Sequence, residues 1–110
     1  MAVVEHIVCP AEEVRSARGK RVTVNGEEYA LFRVGEEIRA IVNHCPHQHF
    51  QKMHEGPVEN GIVTCPMHGW SYDLRTGIST NASGRLTLIE ARISNDMVVL
   101  SIENDSPMVQ

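Results

Sequence analysis

The stretches Cys45-Pro46-His47 and Cys65-Pro66-Met67-His68-Gly69-Trp70 decide how this sequence is interpreted. Each stretch contains one cysteine and one histidine, so together they offer two thiolates and two imidazoles. That set indicates a metal site by its composition alone. Classical zinc fingers place their two cysteines together and then their two histidines, whereas here each cysteine is followed by its own histidine. The order of the ligands therefore favours a metal centre other than a zinc finger.

Short strands separated by turns are predicted around both stretches. The turn signals are Asn25-Gly26, Gly35-Glu36, Gly56-Pro57, Asn60-Gly61, Leu74-Arg75-Thr76-Gly77 and Asn95-Asp96. Strands are predicted at residues 3–8, 20–24, 28–34, 37–43, 62–64, 71–73, 86–93 and 97–102. One helical turn is predicted from Glu12 to Arg18. Because each cysteine stretch follows a strand, we expect two loops side by side at one end of a small sheet.

Length and composition indicate a single globular domain. The chain has 110 residues, of which 42% are hydrophobic and 22% are charged, as in ordinary globular proteins. The formal net charge of −4 argues against a nucleic acid partner, because no basic stripe is present to neutralise phosphates. No apolar window is long enough to span a membrane, so we expect no membrane association.

The cysteines and the first residues favour a cytoplasmic location. The sequence begins Met-Ala-Val-Val-Glu-His, without the cationic start of a secretory signal. Three cysteines are present, and the two stretches claim two of them. Only Cys9 remains, so an internal disulfide is not expected, which fits a reducing compartment. We interpret Cys9 as a small buried apolar residue.

One Cys and one His from each of two loops is the way a Rieske 2Fe–2S centre is built. On these residues the sequence resembles the Rieske family, and in particular the small ferredoxins of aromatic-ring dioxygenase systems. The resemblance covers roughly residues 3–102 in pattern, and it is specific over residues 44–77. It implies an all-β Rieske fold: a small antiparallel β-sandwich or barrel with a cluster-binding subdomain of two loops. We expect the domain at residues 1–104, its cluster-binding part at about 44–77, and a flexible tail at 105–110.

The resemblance also implies the ligand set and one 2Fe–2S cluster. Cys45 and Cys65 would hold one iron, and His47 and His68 the other. Replacing two thiolates by neutral imidazoles removes negative charge, which places Rieske potentials at roughly −150 to +300 mV. Three further histidines, His44, His49 and His54, crowd the first stretch, but the spacing favours His47 as the ligand. We expect the other three to be surface polar residues.

Departures from the respiratory relatives place the potential in the lower part of that range. Those relatives carry an extra cysteine in each loop, whereas Met67 occupies the matching place in the second loop. They also have a serine two residues after the second histidine, where this chain has Trp70. Losing that hydroxyl donor should lower the potential. Tyr72 matches the tyrosine that donates to a cysteine sulfur in those relatives. We interpret Trp70 as a packing wall over the loops.

The expected function is one-electron transfer rather than catalysis. By resemblance, the donor would be an NAD(P)H-dependent flavoprotein ferredoxin reductase and the acceptor a terminal oxygenase. We expect no catalytic activity of its own, because an oxygenase subunit needs a second domain with mononuclear iron. Two alternatives stay open: the small subunit of an assimilatory nitrite reductase, and a zinc-stabilised binding module with no redox role.

Overall fold

The computed structural model describes residues 2–15, 18–43, 53–66, 69–81 and 84–104. Within these ranges the secondary structure consists of strands and two short 3-10 turns, at Ala11–Glu13 and Met53–Glu55. The strands are β1 Ala2–Pro10, β2 Lys20–Val24, β3 Glu27–Val34, β4 Glu37–Val42, β5 Val58–Glu59, β6 Ile62–Thr64, β7 Ser71–Asp73, β8 Leu88–Ser94 and β9 Met97–Asn104. The expectation of an all-β fold is confirmed. No helix in these ranges is long and apolar enough to cross a bilayer.

The strands form two antiparallel sheets of different size. The larger has six strands in the order β1-β9-β8-β4-β3-β2, and the smaller has three in the order β5-β6-β7. Strands β1 and β2 stand at opposite edges of the larger sheet and yet contact each other, so this sheet curls towards a barrel. Ala40 pairs with Ile89, which joins the β2–β4 meander to the C-terminal hairpin.

Strands β3 and β4 separate two apolar clusters. Leu31 of β3 and Ala40 of β4 belong to the cluster inside the curled sheet, together with Leu100 from β9. Phe32 and Ile41, their neighbours in sequence, belong to the cluster that includes the core of the smaller sheet. Successive side chains of a strand point to opposite faces, so this central pair is covered on both sides. The smaller sheet is thereby fixed against the larger one by a shared core.

The predicted hairpin turns are confirmed by their backbone angles. Asn25 and Gly26 have φ of 52° and 85°, and Asn60 and Gly61 have φ of 55° and 78°. Two consecutive residues with positive φ are typical of the tight turn whose twist matches that of antiparallel strands. The pair Asn95-Asp96 also has positive φ at both residues, although it contains no glycine. Local turn chemistry therefore sets the register of all three hairpins.

Two expectations about local structure were wrong. The helical turn predicted over residues 12–18 is a 3-10 turn at Ala11–Glu13, and Val14 is already extended at φ −95° and ψ 104°. The turn ends there because Val14 is 1% exposed and packs into the core of the curled sheet. The two cysteine stretches also do not follow strands of one sheet. The first follows β4 of the larger sheet, and the second follows β6 of the smaller sheet.

Candidate metal centre

The second cysteine stretch forms the end of the β6–β7 hairpin. Thr64 pairs with Ser71, and the hydroxyl groups of these two residues lie 3.0 Å apart. The next pair along, Cys65 and Trp70, is joined by the Cys65 amide donating to the Trp70 carbonyl at 2.7 Å. The Gly69 amide donates to the Cys65 carbonyl at 3.0 Å, and Gly69 has φ 76°, which glycine adopts without strain. These bonds fix the backbone of the hairpin end at Cys65, Gly69 and Trp70, which we call the stem of the second stretch.

Cys65 is buried against the core shared by the two sheets. Its side chain is 1% exposed and belongs to the same cluster as Tyr72, Val63 and Met53. Trp70 is partly buried and packs against this cluster, as expected for a packing wall. Tyr72 of β7 is fully buried and pairs with Val63 of β6. The apolar surroundings give the Cys65 sulfur a rigid and water-poor position.

A third segment, residues 79–81, braces the second stretch from the outer side of β7. The Asn81 side chain accepts a hydrogen bond from the Ser71 amide at 2.9 Å through Oδ1. Through Nδ2 it donates to the Gly69 carbonyl at 3.2 Å. The Thr80 backbone amide donates a further hydrogen bond to the Ser71 carbonyl at 2.9 Å. Sequence reasoning missed Asn81, because a polar residue in a loop carries no periodic signal.

The residues before and after the first cysteine stretch are tied together by Asn43. Its side chain is 1% exposed and contacts His54, which follows the stretch. The expectation that His54 is a surface residue was wrong, because its side chain is only 16% exposed and its ring is hydrogen-bonded. Sequence reasoning also missed Asn43, which it took as the last residue of a strand.

Of the four predicted ligands, Cys65 is within the described residues. Cys45, His47 and His68 lie outside them, as do His44 and His49. The role of each of these residues therefore stays a prediction. The stems that carry the two stretches are described on both sides, at Asn43 and Met53 for the first stretch and at Pro66 and Gly69 for the second.

Cys9 is a small buried residue, as expected, and lies in a different apolar cluster from Cys65. It is 6% exposed and lies in the cluster inside the curled sheet, where β1 has a bulge between Ile7 and Cys9. Burial raises the pKa of the Cys9 thiol, and nearby Lys20 opposes the rise while Glu13 adds to it. A thiol in these surroundings stays protonated and behaves as a small apolar side chain.

These observations define a class: a small antiparallel β protein whose smaller sheet presents a buried cysteine at a braced hairpin end. The family comparison is specific. The chain belongs to the Rieske [2Fe-2S] domain family, whose model matches residues 4–88. Membership implies one Rieske 2Fe–2S cluster as the cofactor, and this disfavours the zinc-stabilised alternative.

A curated relative matches most of the chain. The ferredoxin component of naphthalene 1,2-dioxygenase/salicylate 5-hydroxylase systems from Ralstonia sp is 34% identical over 84 residues, which are 74% of this chain and 80% of that protein. Two other curated relatives align over shorter stretches, of 48 and 55 residues, and the chain spans 44% and 15% of their lengths.

Solved structures share the fold. A chain of the complex of reduced oxygenase and oxidized ferredoxin in carbazole 1,9a-dioxygenase aligns with a TM-score of 0.81 and 24% identity, covering 91% of this chain and 94% of that one. A putative NADH-dependent nitrite reductase small subunit from Mycobacterium tuberculosis aligns with a TM-score of 0.84 and 20% identity, covering 94% and 98%. At these identities the likeness shows the fold alone.

The residues present fit the cluster that the family implies. Thiolate sulfur is the usual ligand of iron in iron–sulfur centres, and imidazole replaces it on one iron in Rieske centres. Cys65 would supply one such sulfur, since it is buried at the end of a hairpin closed by two backbone hydrogen bonds. The two sequence stretches together contain the required two cysteines and two histidines. The donor chemistry and the support around Cys65 are therefore those that a Rieske centre needs.

Proposed function

We propose that this protein is a one-electron carrier whose Rieske cluster is held by Cys45, His47, Cys65 and His68. The observation that carries the proposal is the buried Cys65 on its braced hairpin stem, within a chain of the Rieske [2Fe-2S] domain family. When bound, the cluster accepts and releases one electron at a potential set by its mixed ligands. The protein's own residues hold Cys65 in place and keep water from its sulfur.

The rigidity of the second stem suits this function. Cys65 is fixed by its backbone bonds to Trp70 and Gly69, and Asn81 holds Gly69 from the other side. A ligand that is already in position moves little when the charge of the centre changes. The small reorganisation favours fast electron transfer, and hydrogen-bonded support of ligands also tunes the potential of a metal centre.

The proposed partners are a flavoprotein reductase as electron donor and a terminal oxygenase as acceptor. Support comes from the Ralstonia relative, which is named as a ferredoxin component of a dioxygenase system. The carbazole 1,9a-dioxygenase complex adds support, since it pairs an oxygenase with a ferredoxin of this fold. Under this proposal the chain is not itself the catalyst, and it moves between its two partners. Its cytoplasmic location stays a prediction.

The test is a reconstituted electron-transfer chain. The purified protein is mixed anaerobically with NADH, a ferredoxin reductase of the flavoprotein class and a Rieske-type terminal oxygenase, and reduction and reoxidation are followed by visible absorbance in a stopped-flow instrument. A carrier supports many oxygenase turnovers when it is present at a small fraction of the oxygenase concentration. Failure of the reduced protein to pass electrons to any oxygenase of this class would contradict the proposal.

A second candidate is the small subunit of an assimilatory nitrite reductase, favoured by the fold match to such a subunit. A subunit stays bound to its larger partner, whereas a carrier dissociates between reduction and oxidation. Size-exclusion chromatography of the native protein separates the two cases. Co-elution at equal stoichiometry with a large sirohaem protein would establish the subunit, and elution of the coloured protein at its own mass of 12.3 kDa would favour the carrier.

A further inference from the structure

We infer that Asn43 is a positioning residue: its side chain ties the chain before residues 44–52 to the chain after them, and so supports Cys45 and His47 as ligands from outside that segment. This inference rests on the proposed function, which makes Cys45 and His47 cluster ligands. Nothing in the sequence pattern singles out Asn43, and the contacts that assign this role are all between described residues.

The Asn43 side chain contacts His54, which follows residues 44–52 in the chain. Its Oδ1 accepts a hydrogen bond from the backbone amide of His54 at 3.1 Å. Its Nδ2 lies 3.1 Å from Nδ1 of the same histidine and donates to the Glu28 carboxylate at 3.2 Å. The backbone amide of Asn43 also donates to the Glu28 carbonyl at 3.0 Å. Residue 43 is thus fixed to β3, and His54 is fixed to residue 43.

The orientation of the Asn43 amide follows from its partners. A backbone amide only donates and a carboxylate only accepts, so Oδ1 must face the His54 amide and Nδ2 must face Glu28. Nδ2 therefore presents a hydrogen to His54 Nδ1, which must accept. The neutral histidine then carries its hydrogen on Nε2, on the side where the Glu55 carboxylate lies 3.7 Å away. One asparagine thereby sets both the position of His54 and its tautomer.

The other side of His54 is also held. Gly19 packs so tightly here that a Cβ on it would stand 2.7 Å from the His54 carbonyl oxygen and 2.6 Å from Phe32. Met53, immediately before His54, is fully buried in the shared core. Met53 and His54 therefore cannot shift without disturbing both the core and residue 19. The link from Asn43 to His54 is the kind of support from outside the ligands on which metal affinity depends.

Replacing Asn43 by aspartate tests the role with almost no change in shape. Asn43→Asp puts a carboxylate oxygen against both the Glu28 carboxylate and the unprotonated His54 nitrogen, so two attractive contacts become repulsive. Removal of such support typically costs about 10–100-fold in metal affinity. We expect the cluster of the variant to be lost to an iron chelator faster by about that factor, with altered g-values in the EPR spectrum of the reduced protein.

A second substitution should reverse the first. In Asn43→Asp with Glu28→Gln the total charge equals that of the wild type, and the glutamine amide donates to the new aspartate. His54 completes the network by moving its hydrogen to Nδ1. We expect this double variant to recover most of the lost cluster retention and the wild-type g-values. A structural role without positioning predicts recovery of stability but no change in g-values in either variant.

Arg33→Lys is the matched control. Arg33 donates to the carbonyls of Val14 and Ala11 at 2.8 and 2.7 Å, so its replacement also breaks two partly buried hydrogen bonds. It lies four residues along β3 from Tyr29, which pairs with Val42 next to Asn43, and four residues of strand span about 13 Å. We expect the control to lower the thermal midpoint while leaving chelator resistance and g-values as in the wild type. Equal effects of the control and of Asn43→Asp on these two readouts would overturn the inference.

Amide hydrogen exchange in the purified protein separates this inference from the proposed function. Asn43→Asp should speed exchange across residues 44–52, and Arg33→Lys should not. Equal protection of these residues in the wild type and in Asn43→Asp would overturn the positioning role of Asn43, even if the wild type shows a Rieske spectrum. A wild type without that spectrum would instead contradict the proposed function, and faster exchange in the variant would still support the positioning role of Asn43.

Discussion

Replacing Gly56 by alanine should displace the backbone that leads into Cys65. Gly56 is buried, and a Cβ added to it would press into the carbonyl oxygen of Thr64, the residue directly before Cys65. The added carbon would also lie 3.2 Å from the Thr64 carbonyl carbon and from a Val63 methyl group. Backbone atoms cannot turn aside as a flexible side chain can, so β6 itself must shift.

The cost follows from how firmly both sides are held. The Gly56 amide donates to the Met53 carbonyl and the Thr64 amide donates to the Pro57 carbonyl, each at 3.0 Å. Moving β6 away from Gly56 therefore strains these hydrogen bonds. Forcing one extra carbon into a well-packed core typically costs about 1–3 kcal/mol. For a domain of this size each kcal/mol lowers the thermal midpoint by about 4–8 °C. Because the shift moves Cys65, iron occupancy should fall as well.

The assay is thermal unfolding followed by circular dichroism, together with the iron content of the purified protein. Gly26→Ala is the control, because Gly26 has φ 85° and nothing lies within 4 Å of an added Cβ. Alanine there should lower the free energy of unfolding only through the cost of the left-handed backbone conformation, about 1–2 kcal/mol. Both variants should lose stability, but only Gly56→Ala should lose iron. Unchanged stability and full iron content in Gly56→Ala would refute the packing of Gly56 beneath Thr64.

Three further outcomes are expected. Leu74→Ala, at a fully buried position in the shared core, should lower the free energy of unfolding in urea by about 2–5 kcal/mol, whereas Leu88→Ala, at a position 38% exposed, should lose clearly less; equal losses would contradict the core assignment. Burial raises the pKa of Cys9 above its usual 9.0, so on raising the pH the unfolded state loses this proton first, and stability should fall as the pH rises above about 9. Cys9→Ala should reduce this fall at pH values below 10.0, the usual pKa of Tyr29, because burial raises the pKa of Tyr29 as well and its contribution begins at higher pH. A pH dependence of stability that is unchanged in Cys9→Ala would contradict this reasoning. Redox titration should place the potential in the lower half of the Rieske range of roughly −150 to +300 mV, and a value near the top would contradict the reasoning from Trp70.

Local signals predicted the strands and turns well, because their causes lie within a few residues. Strands β2, β6 and β7 have the predicted bounds, and each of the other predicted strands differs by one or two residues at one or both ends. Asn25-Gly26 and Asn60-Gly61 form their turns because both residues tolerate positive φ. In the strand predicted at residues 37–43, Ile38 and Ala40 are buried on one face and Ile41 is buried on the other.

Relations between distant residues could not be predicted in this way. The assignment of the two cysteine stretches to different sheets depends on the pairing of β4 with β8, which joins residues far apart in the chain. The bonds of Asn43 to His54 and of Asn81 to Gly69 depend on how loops return to the sheets. An asparagine in a loop is common for turn chemistry alone, so its sequence context does not distinguish a solvent-exposed side chain from one that braces a site.

The ligand set was proposed from the order of Cys and His and from the resemblance to the Rieske family. The structure adds the buried position and the braced stem of Cys65, while Cys45, His47 and His68 lie outside the described residues. Spectroscopy is therefore the appropriate test of the set as a whole.

The most direct test is the EPR spectrum of the dithionite-reduced protein, made with adequate iron, beside that of His68→Ala. The wild type should be red-brown and give a rhombic signal with the low average g-value that nitrogen ligands confer, and this signal should vanish in the variant. A colourless wild type with stoichiometric zinc, or a signal that survives unchanged in His68→Ala, would contradict the proposed ligation and the electron-carrier function with it.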